Sequence, residues 1–364
     1  MTTTFNFIVN KSTIAETELE SAELPALAKG EVLFEIDRFA LTSNNVTYGV
    51  AGDMLGYWKF FPCKEGWGKI PVWGIATVKS SSCDGVEEGS LYYGYFPMSE
   101  HLIVSPFKIN DRGFSDSAEC RQSLSPVYNQ YSRVTEQNGF IPAEYNHQII
   151  YRPLFMTSFI LDDYMMDNDY FGADQVILSS ASSKTAFGTA FQLTESGKKV
   201  VGLTSEANME FVKNLGIYDQ VITYDDVQSL DNNLKTTYID MSGNRSVLAA
   251  VHHHFGDKLV NSCGVGITHW DARDGEDPQS LPGAKPTMFF APTQIQKRSK
   301  EWGAEALQAK MAIAWDKFVD FVDNHIHFVE SEAPHAIGHV YNTMIEGPAP
   351  NKAYVLLSAK MMGK

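Results

Sequence analysis

The chain has 364 residues, 44% of them hydrophobic and 20% charged, and carries a formal net charge of −15. This composition excludes a disordered chain, and an acidic surface with no local basic patch argues against nucleic-acid partners and against docking on anionic membranes. No apolar run approaches the roughly 18 residues that span a bilayer, and the length suits two domains rather than one core. The first eleven residues show no charged stretch followed by an apolar core, so no secretory leader is expected. Cys63, Cys83, Cys120 and Cys263 are scattered and fit neither a disulfide framework nor a structural zinc site, which makes a reducing cytoplasm the expected location.

Residues 1 to about 105 read as β-rich. The segment 30–37 alternates apolar and charged, with Val32, Phe34 and Ile36 on one face, and 70–78, 92–96 and 100–106 are further strand candidates. From 107 to 147 the periodicity fades into Asn, Ser, Gln, Tyr and Pro, the pattern of a lid-like loop or of a structural excursion with short helices. A helix is predicted over 155–166. Strands and helices then alternate: strand from 176, helix 185–195, strand 199–203, helix 208–215, and strands 220–224, 237–241, 257–261 and 286–290. Such alternation predicts a parallel sheet with helices on both faces. A long amphipathic helix over 301–322 and a strand over 352–358 close the chain, the strand in position to rejoin the first domain.

The run VILSSASSKTA over 176–186 is the most informative segment. It reads as a buried strand that stops in a cluster of small residues and turns at once into a helix. A second strand follows, with Thr204 and Ser205 just past its end. This is the shape of a dinucleotide-binding βαβ unit in which Ser180, Ser183 and Ala186 replace the usual glycines. A tight turn and a helix N-terminus still present N–H groups to a diphosphate, and Ser180, Ser182, Ser183 and Thr185 add hydroxyls. The Ser183-Lys184-Thr185 triplet mimics the end of a nucleotide-triphosphatase loop, but Leu178 and Ser183 hold the two glycine places, so that reading is rejected. NAD-binding folds place Asp or Glu at the end of the second strand. Here that place is Thr204, and Lys184, Ser205 and Asn208 offer donors, which favours NADP(H). Glu206, one residue into the loop, is the objection.

The element order resembles the medium-chain dehydrogenase/reductase superfamily, in its zinc-free, quinone-reductase-like part, and more closely a poorly characterised bacterial branch known as a domain of unknown function. The family's phosphate loop, Gly-Ala-Ala-Gly-Gly-Val-Gly, falls ungapped on Ser180-Ala-Ser-Ser-Lys-Thr-Ala186, and Gly197, Thr204-Ser205 and the segments 208–216 and 238–243 stay in register with it. The segment 153–158 resembles the one whose threonine lies beside the nicotinamide, here Thr157. No phosphate-loop glycine of the parent pattern remains, and the Cys and Gly-His-Glu motif of the zinc-dependent branch are absent. The resemblance implies an α/β protein, with a GroES-like β-rich catalytic domain over 1–150 that includes the 107–147 excursion. A Rossmann doubly wound parallel-sheet domain for NADP(H) follows over 151–300, and a helix and strand over 301–364 return to the catalytic domain. It also implies that the loops near Ser242 and Gly264 help to orient the nicotinamide.

The loop at 44–48 faces the nicotinamide in the zinc-free relatives, which makes Tyr48 the first candidate to donate a hydrogen bond or a proton to a substrate carbonyl; packing is the competing role. His269 is the second candidate, to polarise a carbonyl or relay a proton. The aromatic stretch 56–62, with Trp67 and Trp73, reads as core or as the flat walls of an apolar substrate cleft. His252, His253 and His254 diverge and read as surface residues at a helix end, and no metal site is assigned. The combined reading is a two-domain reductase. It transfers hydride from NADP(H), without zinc, to an activated C=C or C=O of a small hydrophobic enone, quinone or aldehyde in the interdomain cleft. A homodimer is compatible with it. A lyase or hydrolase on the same fold, or a non-catalytic dinucleotide sensor, are the alternatives.

Overall fold

The computed structural model describes residues 3–265 and 276–362. Two compact units are present, Met1–Ile150 with Ile326–Lys364, and Tyr151–His325. The chain runs through β1 (Thr3–Asn10), β2 (Thr17–Glu23), β3 (Val32–Leu41), α1 (Ser43–Val50), β4 (Trp67–Gly68), β5 (Pro71–Ser81), β6 (Leu91–Pro97), β7 (His101–Val104), β8 (Pro106–Asn110), β9 (Gly113–Asp116) and β10 (Gln130–Arg133). It continues with α2 (Tyr145–Asp167), β11 (Gln175–Leu178), α3 (Lys184–Leu193), β12 (Lys199–Thr204), α4 (Met209–Asn214), β13 (Gln220–Thr223), β14 (Thr236–Asp240), α5 (Arg245–Phe255), β15 (Leu259–Gly264), β16 (Thr287–Met288), α6 (Ala291–Trp302) and α7 (Ala304–His325). Last come β17 (His327–Ala333), α8 (Ile337–Glu346) and β18 (Lys352–Ser358).

In the first unit a long sheet runs in the order β17-β18-β3-β5-β6-β10-β9-β8, with β7 also on β3, and a small one in the order β2-β1-β4. The alternation read in 30–37 is real: Val32, Phe34 and Ile36 are buried in the core. A register shift between Ile36 and Arg38 then breaks the alternation, and it leaves Asp37 buried too. Phe34 is the aromatic centre, with Phe96 at 5.7 Å and Tyr131 at 5.4 Å between ring centroids. The segment 107–147 extends this sheet through β8, β9 and β10. Its strands have only four or five residues, too few for a period to show, and it buries an ion pair, Arg121 with Asp116, that hydropathy hides. β18 lies antiparallel to β3 and parallel to β17, so the end of the chain is part of this sheet.

The second unit is a six-stranded sheet in the order β13-β12-β11-β14-β15-β16, every neighbouring pair parallel. Numbered within the unit this order is 3-2-1-4-5-6, the doubly wound Rossmann arrangement, whose strand order reverses beside its first strand, here β11. β11 and β14 are buried along their whole length, which is why they read as apolar runs without alternation. Helix α2 begins at Tyr145, well before the predicted 155, and keeps Pro153 inside it. The helix expected to return to the first domain stays in this unit: Phe318 of α7 packs on Tyr151 at 5.5 Å and on Phe187 of α3 at 6.4 Å. Among the described residues no helix is long and apolar enough to cross a membrane.

Candidate functional site

In a parallel sheet of this kind, ligands settle at the carboxyl ends of the strands beside the order reversal. At that edge Ser179, the residue after β11, is buried and ties two strands together. Its hydroxyl donates to Asp240 Oδ1 at 2.7 Å and accepts from the amides of Met241 and Ser242 at 2.9 and 3.0 Å. The same Asp240 oxygen accepts from the amide and hydroxyl of Ser242 and from the amide of Gly243. Ser242 is thus placed inside a buried turn that fixes the end of β14.

Ser180 has φ +54°, a left-handed conformation that favours glycine, at the first glycine place of the parent loop. The turn has kept the glycine geometry without the glycine. Ala181 crosses over β12, its amide donating to Leu203 O at 2.9 Å while its carbonyl accepts from the Tyr218 hydroxyl at 2.9 Å. That crossing demands a bare backbone at Gly202, where a Cβ would stand 2.9 Å from Ala181 Cβ. Ser182 Oγ accepts from Asn208 Nδ2 at 3.1 Å, which joins the loop to the turn after β12. Ser183 caps α3, its hydroxyl accepting from the Ala186 amide at 3.3 Å. Lys184 and Thr185 open the helix, and burial pushes the Lys184 ammonium down to about 8.

Beyond the end of β12 opens a cleft of about 400 Å³ lined by Thr204, Ser205, Glu206, Thr223, Tyr224 and Asp225. The Tyr224 hydroxyl accepts from the Ser180 amide at 3.2 Å, so cleft and loop are continuous. Thr204 is 1% exposed and its Oγ1 has no hydrogen-bond partner among the described residues. An unmet buried hydroxyl costs about 1–3 kcal/mol, which makes it a fitting contact for a ligand. The amino end of α3 supplies the donors a diphosphate needs, and the cleft supplies space and hydroxyls for a ribose. The residues therefore fit a nicotinamide dinucleotide. Glu206 and Asp225 line the same cleft, and their charges work against a second phosphate close by.

The other expected residues are distributed as follows. Thr157 lies mid-helix in α2, its hydroxyl bonded to Pro153 O at 3.4 Å; its neighbour Ser158 donates to Thr185 O at 3.0 Å and seats α2 on α3. Gly264 ends β15, where a Cβ would meet Met288 Sδ at 2.8 Å. His269 lies outside the described residues. In the first unit Tyr48 sits in helix α1, not in a loop, because Asn45 bonds the Thr42 amide at 2.8 Å and Pro71 O at 2.9 Å and nucleates a turn there. Its ring stacks on Tyr57 at 4.3 Å, and burial beside the Tyr128 phenol raises its pKa.

One expectation needs correction. His252 is not a surface residue: it is fully buried, bonded to Pro282 O at 2.8 Å and Ser262 Oγ at 2.9 Å, because α5 turns that face onto β15. In the aromatic stretch Trp58, Phe60 and Phe61 follow the core reading, Trp58 in the main core and Phe60 and Phe61 with Tyr95 in a separate buried cluster. The cleft residues Thr223, Tyr224 and Asp225 went unnoticed in the sequence, although they stand at a strand's carboxyl end, where the fold predicts a ligand.

A family model described as a protein of unknown function (DUF2855) matches residues 39–350. The chain belongs to this DUF2855 family. No curated protein matches its sequence. Among solved structures, CurA from Vibrio vulnificus in complex with NADPH superposes with a TM-score of 0.63 at 14% identity, over 97% of this chain and 99% of that one. A putative NADPH:quinone reductase from Mesorhizobium loti gives 0.63 at 10%, over 98% and 100%. TarJ of S. aureus in complex with NADPH gives 0.59 at 10%, over 98% and 99%. These likenesses establish the fold of this DUF2855 member as that of the medium-chain reductases, with a GroES-like first unit and a Rossmann second unit.

Proposed function

We propose that this DUF2855 chain is an NADP(H)-dependent oxidoreductase that reduces an activated C=C or C=O of a small hydrophobic molecule without zinc. One observation carries the reading. A cleft with an unpartnered Thr204 hydroxyl opens beside the amino end of α3, at the carboxyl edge of a 3-2-1-4-5-6 sheet. The choice of NADP(H) is supported by the missing carboxylate at position 204 and by structural neighbours solved with NADPH. The zinc-free reading is supported by the absence of a Gly-His-Glu motif from the sequence.

When bound, the cofactor supplies the hydride. The chain's part is positioning. Hydroxyls of Ser180, Ser182, Ser183 and Thr185, with backbone amides at the amino end of α3, hold the diphosphate, with Lys184 for charge and Thr204, Ser205 and Asn208 for the ribose. Thr157, Ser242 and Gly264 bound the nicotinamide. Tyr48 keeps its phenolic proton at neutral pH, since burial raises its pKa further above 10, and it donates to the substrate oxygen as negative charge develops there. His269 is the second donor.

Titration of NADPH fluorescence against the protein tests the first half of this reading. Stopped-flow oxidation of bound NADPH by a panel of enones, quinones and aldehydes tests the second. Binding without oxidation by any of them supports a dinucleotide sensor instead, and absence of binding at millimolar NADPH removes the reading altogether.

A further inference from the structure

The cleft beyond β12 carries a charge problem of its own. Two of its lining residues are acids and none is a base. Glu206 and Asp225 are both exposed, and neither has an ion-pair or side-chain hydrogen-bond partner among the described residues. Two uncompensated carboxylates at the edge of a site for an anionic cofactor call for a positive charge that the lining does not supply.

The fold brings the two acids to one rim. β12 and β13 are parallel neighbours with Thr204 opposite Thr223, and these are the last residues of their strands. Each acid stands two residues further on, Glu206 in the turn after β12 and Asp225 in the turn after β13. Neighbouring strands lie about 4.8 Å apart, so equivalent positions past their ends leave both residues lining the same cleft.

Every polar side-chain atom of the lining is an oxygen: the hydroxyls of Thr204, Ser205, Thr223 and Tyr224 and the two carboxylates. Thr204 points independently to a ligand, being 1% exposed with an unpartnered Oγ1. An all-oxygen set suits a hard cation such as Mg²⁺ and offers none of the nitrogen or sulfur that Zn²⁺ favours. Mg²⁺ seldom takes an all-protein cage; one or two carboxylates and the phosphate of a bound nucleotide hold it, with water completing its shell. The cleft has that character. Among the described residues no three acidic, histidine or cysteine side chains gather to hold an ion alone.

Resting on the proposed NADP(H) reading, we infer that Glu206 and Asp225 form a nucleotide-dependent site for a divalent cation. Mg²⁺ bridges the two carboxylates and the 2′-phosphate of the bound dinucleotide. The charges that repel this phosphate in the bare cleft become, through the ion, the ones that hold it. NADH lacks the phosphate and cannot complete the site.

The test is titration of NADPH and NADH fluorescence against the full chain, in millimolar Mg²⁺ and in a chelator at matched ionic strength, so that screening does not pass for binding. Mg²⁺ is expected to tighten NADPH about ten-fold, the effect of cancelling two unit charges at a partly exposed site, and to leave NADH unchanged. The variant Glu206→Gln with Asp225→Asn should bind NADPH equally in both buffers. In the chelator it should bind NADPH more tightly than the unaltered chain, because the repulsion is gone. Electron paramagnetic resonance should show Mn²⁺ taken up by the chain with NADPH, beyond what NADPH takes up alone, and not by the chain with NADH. An NADPH affinity indifferent to Mg²⁺ overturns the inference and leaves the cofactor reading standing. An equal gain for NADH, which puts the ion on the diphosphate, or a gain that persists in the variant overturns it too. No binding of NADPH in either buffer removes the cofactor reading and the inference together.

Discussion

The phenol oxygen of Tyr224 lies 3.2 Å from the backbone nitrogen of Ser180 and accepts its hydrogen. One bond thus joins the loop after β11 to the turn after β13, across the end of the strand between them. Tyr224→Phe should lower stability by about 1 kcal/mol, the ordinary worth of such a bond, and should weaken NADPH as the loop loosens. Thr204→Val should act in the opposite sense on the fold. It removes an unpartnered buried hydroxyl while keeping the shape, so the melting temperature should hold or rise while NADPH affinity falls about ten-fold. Melting curves with NADPH titrations check both, and loss of fold stability without loss of affinity in Thr204→Val would assign that hydroxyl to packing.

The same loop carries its own strain. Ser180 holds φ +54°, a conformation costing a non-glycine residue about 1 kcal/mol. Ser180→Gly should therefore raise the melting temperature by a few degrees. Gly202→Ala should do the reverse, because its new Cβ stands 2.9 Å from Ala181 Cβ and 3.0 Å from Tyr218 Cδ1, an overpacking worth about 1–3 kcal/mol. Differential scanning calorimetry of the two variants reads both effects. A stability gain in Gly202→Ala would mean that the loop does not cross β12 so closely.

These two positions also show what the sequence conveys and what it hides. The strand–loop–helix at 176–186 was legible because a fully buried strand, a run of small residues and a helix start are all local signals. So was the succession of Rossmann strands along the chain, set by apolar runs ending in turn residues. Tyr218 and Tyr224 were not legible as site residues. Tyr224 follows a strand as many surface residues do, and only the parallel pairing of β12 with β13 brings it to Ser180. Helix α2 was under-read because Pro153 signals a boundary, and the strands within 107–147 were missed because four or five residues show no period. His252 looked exposed beside two other histidines, yet helical geometry turned one of the three inward.

The dependence of stability on pH should show two opposed contributions. Burial lowers the pKa of His101, helped by the Lys79 ammonium 2.9 Å away, and burial lowers that of His252. Below about 6.5 the unfolded chain takes up protons that these buried rings refuse, so stability is lost as pH falls through that value. Asp162 acts the other way. Burial, with the nearby Asp163 and Glu195 charges, raises its carboxyl to about 7, and its Oδ1 has no partner among the described residues. Between about pH 4 and pH 7 the fold binds a proton there that the unfolded chain releases, so this contribution is lost as pH rises and is flat above. Asp162→Asn should raise the melting temperature more at pH 7.5 than at pH 5. An equal rise at both values would show that Asp162 is ionised in the fold throughout.

Choice between the two nicotinamide dinucleotides should be set by a contest of charges at one edge of the sheet. Glu206 and Asp225 line the cleft next to Thr204, whereas Lys184 opens the helix beside it. Two carboxylates repel a 2′-phosphate, and one ammonium attracts it. Burial holds the Lys184 ammonium near pKa 8, so its attraction should fade as pH rises through that value. NADPH affinity should therefore decline between pH 7 and pH 9, more steeply than NADH affinity, and Lys184→Met should flatten the decline. Glu206→Gln with Asp225→Asn should tighten NADPH about ten-fold and leave NADH within a factor of about two, since each removed charge at such a surface site is worth up to about 1 kcal/mol. The measurement is a fluorescence titration of both dinucleotides across that pH range. Equal gains for NADPH and NADH in the double variant would place the second phosphate away from this cleft and assign the two carboxylates to the ribose alone.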